Sequence, residues 1–134
     1  MAPLQVAKAF VGRINHQDVD GLAALMTEDH RFIDALGMAV TGRENMKRGW
    51  QYYFAMVPDY RLAPDSWMSD GAIAVMFGTA DGSYSPDGVM TPERRWSCPA
   101  ACRAVVRDGL IAEWRVYADN EPIRKLMQAH GAPR

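Results

Sequence analysis

The chain has 134 residues, 49% of them hydrophobic and 23% charged, with a formal net charge of −1. That length supports one domain, 1–134, with one real core. The near-neutral balance gives no electrostatic case for nucleic acid or an anionic membrane surface, and no apolar run approaches the length that spans a bilayer.

From the N-terminus, Pro3 suits the first turn of a helix, and Leu4, Ala7, Phe10, Val11 and Ile14 follow at helical spacing. Asp18 can cap a second short helix carrying Val19, Leu22, Leu25 and Met26, which Thr27-Glu-Asp29 breaks. Residues 30–35 read as a strand with His30, Phe32 and Asp34 on one face. Thr41-Gly-Arg-Glu44 fits a capping box that opens a third helix. Its stripe is Met46, Trp50, Tyr53, Phe54 and Val57, and Pro58 stops it.

Beyond Pro58 the period changes from helix to strand. Tyr60–Met68, Ala72–Tyr84, Arg94–Arg107 and Leu110–Ala118 read as four strands. Ser69-Asp-Gly71, Ser85-Pro-Asp-Gly88 and Asp108-Gly109 supply the turns, Asp-Gly being a strong hairpin signal. In the last strand Leu110, Ala112, Trp114, Val116 and Ala118 form an apolar face, against Glu113, Arg115 and Tyr117 on the other. Asn120–His130 reads as a final helix with Ile123, Leu126 and Met127 inward. Helices first and long strands after imply an α+β fold: a cone-shaped roll with a strongly curved mixed or antiparallel sheet. The N-terminal helices cover its concave side, and a pocket opens at the uncovered end.

Asp34, in Arg31-Phe-Ile-Asp-Ala-Leu-Gly37, carries most of the functional reading. An acid there either sits in water at a strand end, capping the Gly37 turn, or projects into an apolar pocket where it can move protons. Trp50 and Tyr53 share a helix face, as core or as pocket wall with the Tyr53 hydroxyl as donor. Trp96 and Phe54 are expected to shape the same cavity, and Trp114 its floor or the core. His30, on the strand face of Asp34, is either a proton relay or simply an exposed histidine after Glu-Asp in a loop. Asp119 is read as a cap for the last helix or as a functional acid near the end of the last strand. Arg95 and Arg103 share a strand face unless a bulge at Pro99 breaks the parity; they lie on the outer, dimer-facing or solvent side, or either binds an anionic substrate group.

Cys98 and Cys102 on one strand stand about 13 Å apart by the strand rise, too far for a disulfide. Buried free thiols and an N-terminus without a long apolar stretch imply a cytoplasmic protein. No histidine pair has metal-ligand spacing, so no metal and no cofactor is expected.

Asn15-His-Gln-Asp-Val-Asp-Gly-Leu-Ala-Ala-Leu-Met-Thr-Glu-Asp29, Phe32-Ile-Asp-Ala-Leu-Gly37, Thr41-Gly-Arg-Glu44 and Gly109-Leu-Ile-Ala-Glu-Trp-Arg-Val-Tyr-Ala-Asp119 together resemble the nuclear transport factor 2-like superfamily. The likeness lies with its SnoaL-like and ketosteroid-isomerase-like branch. The resemblance implies a homodimer and a pocket for a small apolar or carbonyl-containing molecule, without nucleic acid or membrane. It matches Asp34 to the isomerases' general base. The position of their tyrosine donor falls on Phe10 and that of their protonated acid near Ala101, neither of which can donate. Trp114-Arg-Val-Tyr117 is similar to the limonene epoxide hydrolase branch, whose catalytic acid falls on Val116 here.

The sequence therefore points to a cofactor-free acid–base enzyme of isomerase or cyclase type, acting on a small apolar carbonyl or polyketide-like compound. Asp34 would be the base and Tyr53 the donor, in a pocket of Phe10, Ile14, His30, Phe32, Trp50, Phe54, Trp96, Trp114 and Val116. The alternatives are a non-catalytic binding or dimerisation domain, and an epoxide hydrolase or dehydratase of the same superfamily.

Overall fold

The computed structural model describes residues 1–131. Helix α1 (Pro3–Asn15) and short α2 (Val19–Ala24) lead into strand β1 (Met26–Ile33), hairpin strand β2 (Ala39–Thr41) and helix α3 (Arg43–Met56). Strands β3 (Arg61–Asp70), β4 (Ile73–Ser83), β5 (Arg95–Arg107) and β6 (Leu110–Ala118) follow, then helix α4 (Glu121–His130). The fold is α+β, as the pattern implies. Its sheet is mixed, in the order β2-β1-β6-β5-β4-β3, and does not close. Only β1 and β6 run parallel; the other neighbours are antiparallel.

Alternation dictates which face is buried. Trp96, Cys98, Ala100, Cys102, Ala104 and Val106 of β5 all point into the core, where Phe10, Ile14, Met76 and Trp114 meet them. The β4–β5 register runs unbroken from Ile73↔Val105 to Ser83↔Arg95, so Pro99 makes no bulge there. Pro99 lies just outside the β5–β6 ladder, which begins at Ala100↔Ala118. Arg95 and Arg103 accordingly stay on the outer face. Arg95 pairs with Asp59 and Asp81, and Arg103 with Glu113. The β5–β6 hairpin has Asp108 (φ 54°) and Gly109 (φ 77°) between Arg107 and Leu110, the two positive φ values that a tight hairpin turn requires.

Three local readings differ from the structure. The second helix ends at Ala24 and β1 begins at Met26, because the Leu25 carbonyl accepts from Ile111 N–H and Met26 aligns with Ile111. Strand β2 carries no sequence signal of its own, being three exposed residues held against β1 by the register Arg31↔Thr41 to Ile33↔Ala39. Thr41 belongs to that strand, so it does not cap α3. The capping position is Gly42 (φ 104°), a conformation glycine adopts without strain, and no side chain among the described residues caps the helix.

Two polar clamps tie segments that are distant in the chain. Asn15 bonds both backbone groups of Leu62, donating to its carbonyl and accepting from its N–H at 2.9 Å each, and so ties α1 to edge strand β3. Asp59, in the turn after α3, accepts from Ser83 N–H at 2.6 Å, Ser83 Oγ at 2.8 Å and Arg95 at 3.1 Å. That clamp holds the neighbouring Tyr60 inward, where it is buried.

Candidate active site

A cavity of about 450 Å³ opens between β1–β2, α3, β5–β6 and α4, with a lining that is mostly apolar. It is within the size range of small-molecule sites. Five aromatic side chains form a continuous belt along it, each in edge or tilted contact with the next. Phe32 lies 5.9 Å from Trp50, Trp50 6.3 Å from Tyr53, Tyr53 4.9 Å from Tyr60 and Tyr60 6.1 Å from Trp96, between ring centroids. Val116 of β6 and Ile123 and Met127 of α4 complete the apolar wall.

Asp34 lies one residue beyond β1 and lines this cavity, half-buried. Its Oδ1 accepts from the N–H groups of Leu36 and Met38, both at 2.9 Å. The acid therefore caps the β1–β2 turn and contributes to the cavity wall at once.

Tyr53 comes from α3, which carries Trp50 and Tyr53 on the stripe that faces the cavity. Burial pushes its hydroxyl up in pKa, and the nearby Cys98 adds to the effect. Burial pushes Tyr60 well up too, with Tyr53 the next contributor. Both phenols are therefore neutral donors at ordinary pH. The indole N–H groups of Trp50 and Trp96 are sealed in the wall with no partner among the described residues. Arg124 and Asn120 stand at the α4 side, Arg124 held by Glu121 at 2.6 Å. Asp119 accepts from Glu121 N–H at 2.9 Å, one residue ahead of the Asn120 capping position.

The structure thus brings Phe32, Asp34, Trp50, Tyr53, Trp96 and Val116 to one cavity. Phe10, Ile14, His30, Phe54 and Trp114 do not line it. They form the packed layer behind: Phe10 lies 4.7 Å from Trp114 and 6.4 Å from Trp50, and Phe54 5.3 Å from Trp50. His30 is fully buried, and Nδ1–H donates to the Ile111 carbonyl at 2.8 Å. That bond leaves Nε2 without a partner among the described residues, and burial lowers the ring's pKa. His30, within β1, is fully buried and does not line the cavity that Asp34, one residue past the strand, does, although the two match in strand parity. Tyr60, Cys98 and the α4 residues were not singled out as pocket lining from the sequence. Ile123 and Met127 at i, i+4 carried a signal; Tyr60, at a turn, did not.

A cone of helices on a curved, open sheet around one apolar cavity is the nuclear transport factor 2-like, ketosteroid-isomerase-like architecture. The profile of the SnoaL-like domain matches residues 7–114, and the chain belongs to that family. No curated protein sequence matches it significantly. The chain is similar to IdmH of Streptomyces antibioticus, a candidate polyketide cyclase, at 21% identity over 96% of this chain and 99% of that one (TM-score 0.77). It is also similar to TerC co-crystallised with polyporic acid, at 19% identity over 94% and 98% (TM-score 0.77). A third likeness is to a hypothetical protein of ketosteroid-isomerase-like fold from Catenulispora acidiphila in complex with trimethylamine, at 18% identity over 92% and 91% (TM-score 0.77). At these identities the likeness is one of fold.

Proposed function

We propose that this chain is an acid–base enzyme of the isomerase or cyclase type, acting without a cofactor on a small, mostly apolar carbonyl or polyketide-like compound. The observation that carries the reading is the presence of one carboxylate, Asp34, and one neutral phenol, Tyr53, on the wall of one apolar cavity. Asp34 takes a proton from the carbon beside the carbonyl. The C–H electron pair becomes the new carbon–carbon π bond, and the carbonyl π pair moves onto oxygen, where Tyr53 donates a hydrogen bond. Returning the proton to another carbon completes an isomerisation; attack of the enolate carbon on a second carbonyl closes a ring, and the alkoxide so formed takes the proton held by Asp34. IdmH is a candidate polyketide cyclase, and TerC is co-crystallised with polyporic acid, which supports a small-molecule substrate of this class.

The test is exchange of the α-hydrogens of 1-tetralone for deuterium, followed by NMR. Acceleration by the protein that disappears in Asp34→Asn supports the reading. Equal acceleration in the variant removes Asp34 from the chemistry, and none in either leaves the second reading, a non-catalytic binding domain. The engagement of Asp34 Oδ1 in the β1–β2 turn favours that second reading. An epoxide hydrolase is disfavoured, since Val116 lines the cavity where that acid would stand.

The same proposal includes a homodimer in the cytoplasm. Phe77, Ala101 and Tyr117 lie in one row across the outer face of the sheet, and Phe77 and Tyr117 are exposed. The two buried free thiols suit a reducing compartment.

A further inference from the structure

We propose that Tyr60 is a second donor, and that the hydroxyls of Tyr53 and Tyr60 together form a two-donor site for one carbonyl or enolate oxygen. The inference rests on the acid–base reading of the cavity and names the substrate feature that the cavity selects.

The two rings meet edge to face at 4.9 Å, and both line the cavity. They reach it from different segments: Tyr53 from α3, and Tyr60 from the turn that Asp59 clamps to Ser83 and Arg95. Neither hydroxyl bonds to a described residue, and neither is among the atoms that are both sealed from solvent and without a partner among the described residues, which are His30 Nε2, Trp50 Nε1, Trp96 Nε1 and Arg115 Nε. Two neutral phenols side by side on an apolar wall can both donate, and a carbonyl oxygen has two lone pairs to receive them. As Asp34 removes the α-proton, charge grows on that oxygen and both hydrogen bonds strengthen. The pair therefore supplies what Phe10 and Ala101 lack, from other elements of the fold.

Aromatic rings flank the pair on both sides, Trp50 next to Tyr53 and Trp96 next to Tyr60. A flat ring system lying along the belt places an edge oxygen at the hydroxyls. The ligand class is then a planar cyclic ketone with an acidic α-carbon, or its enol, rather than an apolar hydrocarbon or an amine.

The experiment measures binding of 1-tetralone and of tetralin, its analogue without the carbonyl, by tryptophan fluorescence. The proteins are the intact chain and Tyr53→Phe, Tyr60→Phe and the double variant. Each lost hydroxyl is expected to weaken tetralone binding about fivefold, with tetralin binding unchanged as the control for an intact cavity. The carbonyl stretch of bound 1-tetralone, read by infrared difference spectroscopy, is expected at lower wavenumber than in hexane. It should move part of the way back in each single variant. Unchanged tetralone affinity and an unchanged stretch in Tyr60→Phe overturn the inference and leave Asp34-dependent exchange standing. If neither compound binds the intact protein, the inference fails together with the acid–base reading. If a variant loses tetralin as well, the infrared shift of tetralone at saturating concentration decides.

Discussion

Asp34 and Met38 bond to each other twice. Asp34 N–H donates to the Met38 carbonyl at 2.9 Å, and Met38 N–H returns a bond to Asp34 Oδ1 at 2.9 Å. The pair closes the β1–β2 hairpin and fixes where the carboxylate sits on the cavity rim. The proposed base is thus also the clasp of the loop that carries it.

This double role separates two substitutions. Asp34→Asn keeps an acceptor oxygen for Leu36 and Met38, so it is expected to lose proton transfer with little change in stability. Asp34→Ala loses both, and is expected to destabilise the fold by about 1–2 kcal/mol. Denaturant midpoints, with hydrogen exchange at Ala39–Thr41, check the difference. Equal fraying of β2 in both variants contradicts the clasp.

His30 predicts an acid-sensitive fold. Burial lowers its pKa from the ordinary 6.5, opposed by its bond to Ile111 and the charges of Glu113 and Asp29. Below about 6.5 the unfolded chain binds a proton that the folded one refuses. The contribution to stability is therefore complete above pH 6.5 and is lost as the pH falls towards the folded value, by about 1.4 kcal/mol per unit at most. Unfolding titrations between pH 7.5 and 5 are expected to show this slope, and His30→Asn to flatten it whatever its own stability.

The two thiols should be inert in the folded protein. Burial pushes Cys102 up to about 12 and raises Cys98, whose value the charge of Asp119 raises further. Only Cys98 lines the cavity. Iodoacetamide at pH 8 is expected to modify Cys98 slowly, Cys102 more slowly still, and both rapidly in denaturant. Mass spectrometry of timed digests reads the order, and 1-tetralone should slow Cys98 alone.

Two glycines are predicted to respond in opposite directions to alanine. A Cβ at Gly78 of β4 would stand 2.1 Å from the Ala63 carbonyl oxygen of β3, a backbone atom that cannot move aside cheaply. Gly78→Ala should cost about 1–3 kcal/mol. A Cβ at Gly12 meets nothing within 4 Å inside α1, so Gly12→Ala should stabilise by about 0.5–1 kcal/mol. Thermal unfolding of the pair checks both signs.

For the proposed homodimer, Phe77→Asp places a charge in the exposed Phe77–Ala101–Tyr117 row. It is expected to give monomers in sedimentation velocity while leaving the circular dichroism spectrum unchanged. A dimer that survives the substitution rules out this face.

Periodicity and turn chemistry, which are local, determined most of the architecture. Helical spacing in α1, α3 and α4, alternation along β5 and β6, and Asp108-Gly109 at their turn each report a neighbour relation along the chain. The resemblance singled out Asp34, which does lie on the cavity wall. Tertiary structure alone decided depth. His30 and Asp34 share the parity of one strand face in the sequence, yet His30 lies within β1, bonded to Ile111, and Asp34 lies one residue past its end, on the cavity wall. It also decided convergence, bringing Tyr60 from a turn against Tyr53 from a helix through the Asp59 clamp. Strand parity fixes a side chain's direction but not its distance from the open end of a cone. That distance is set by contacts between residues far apart in the chain.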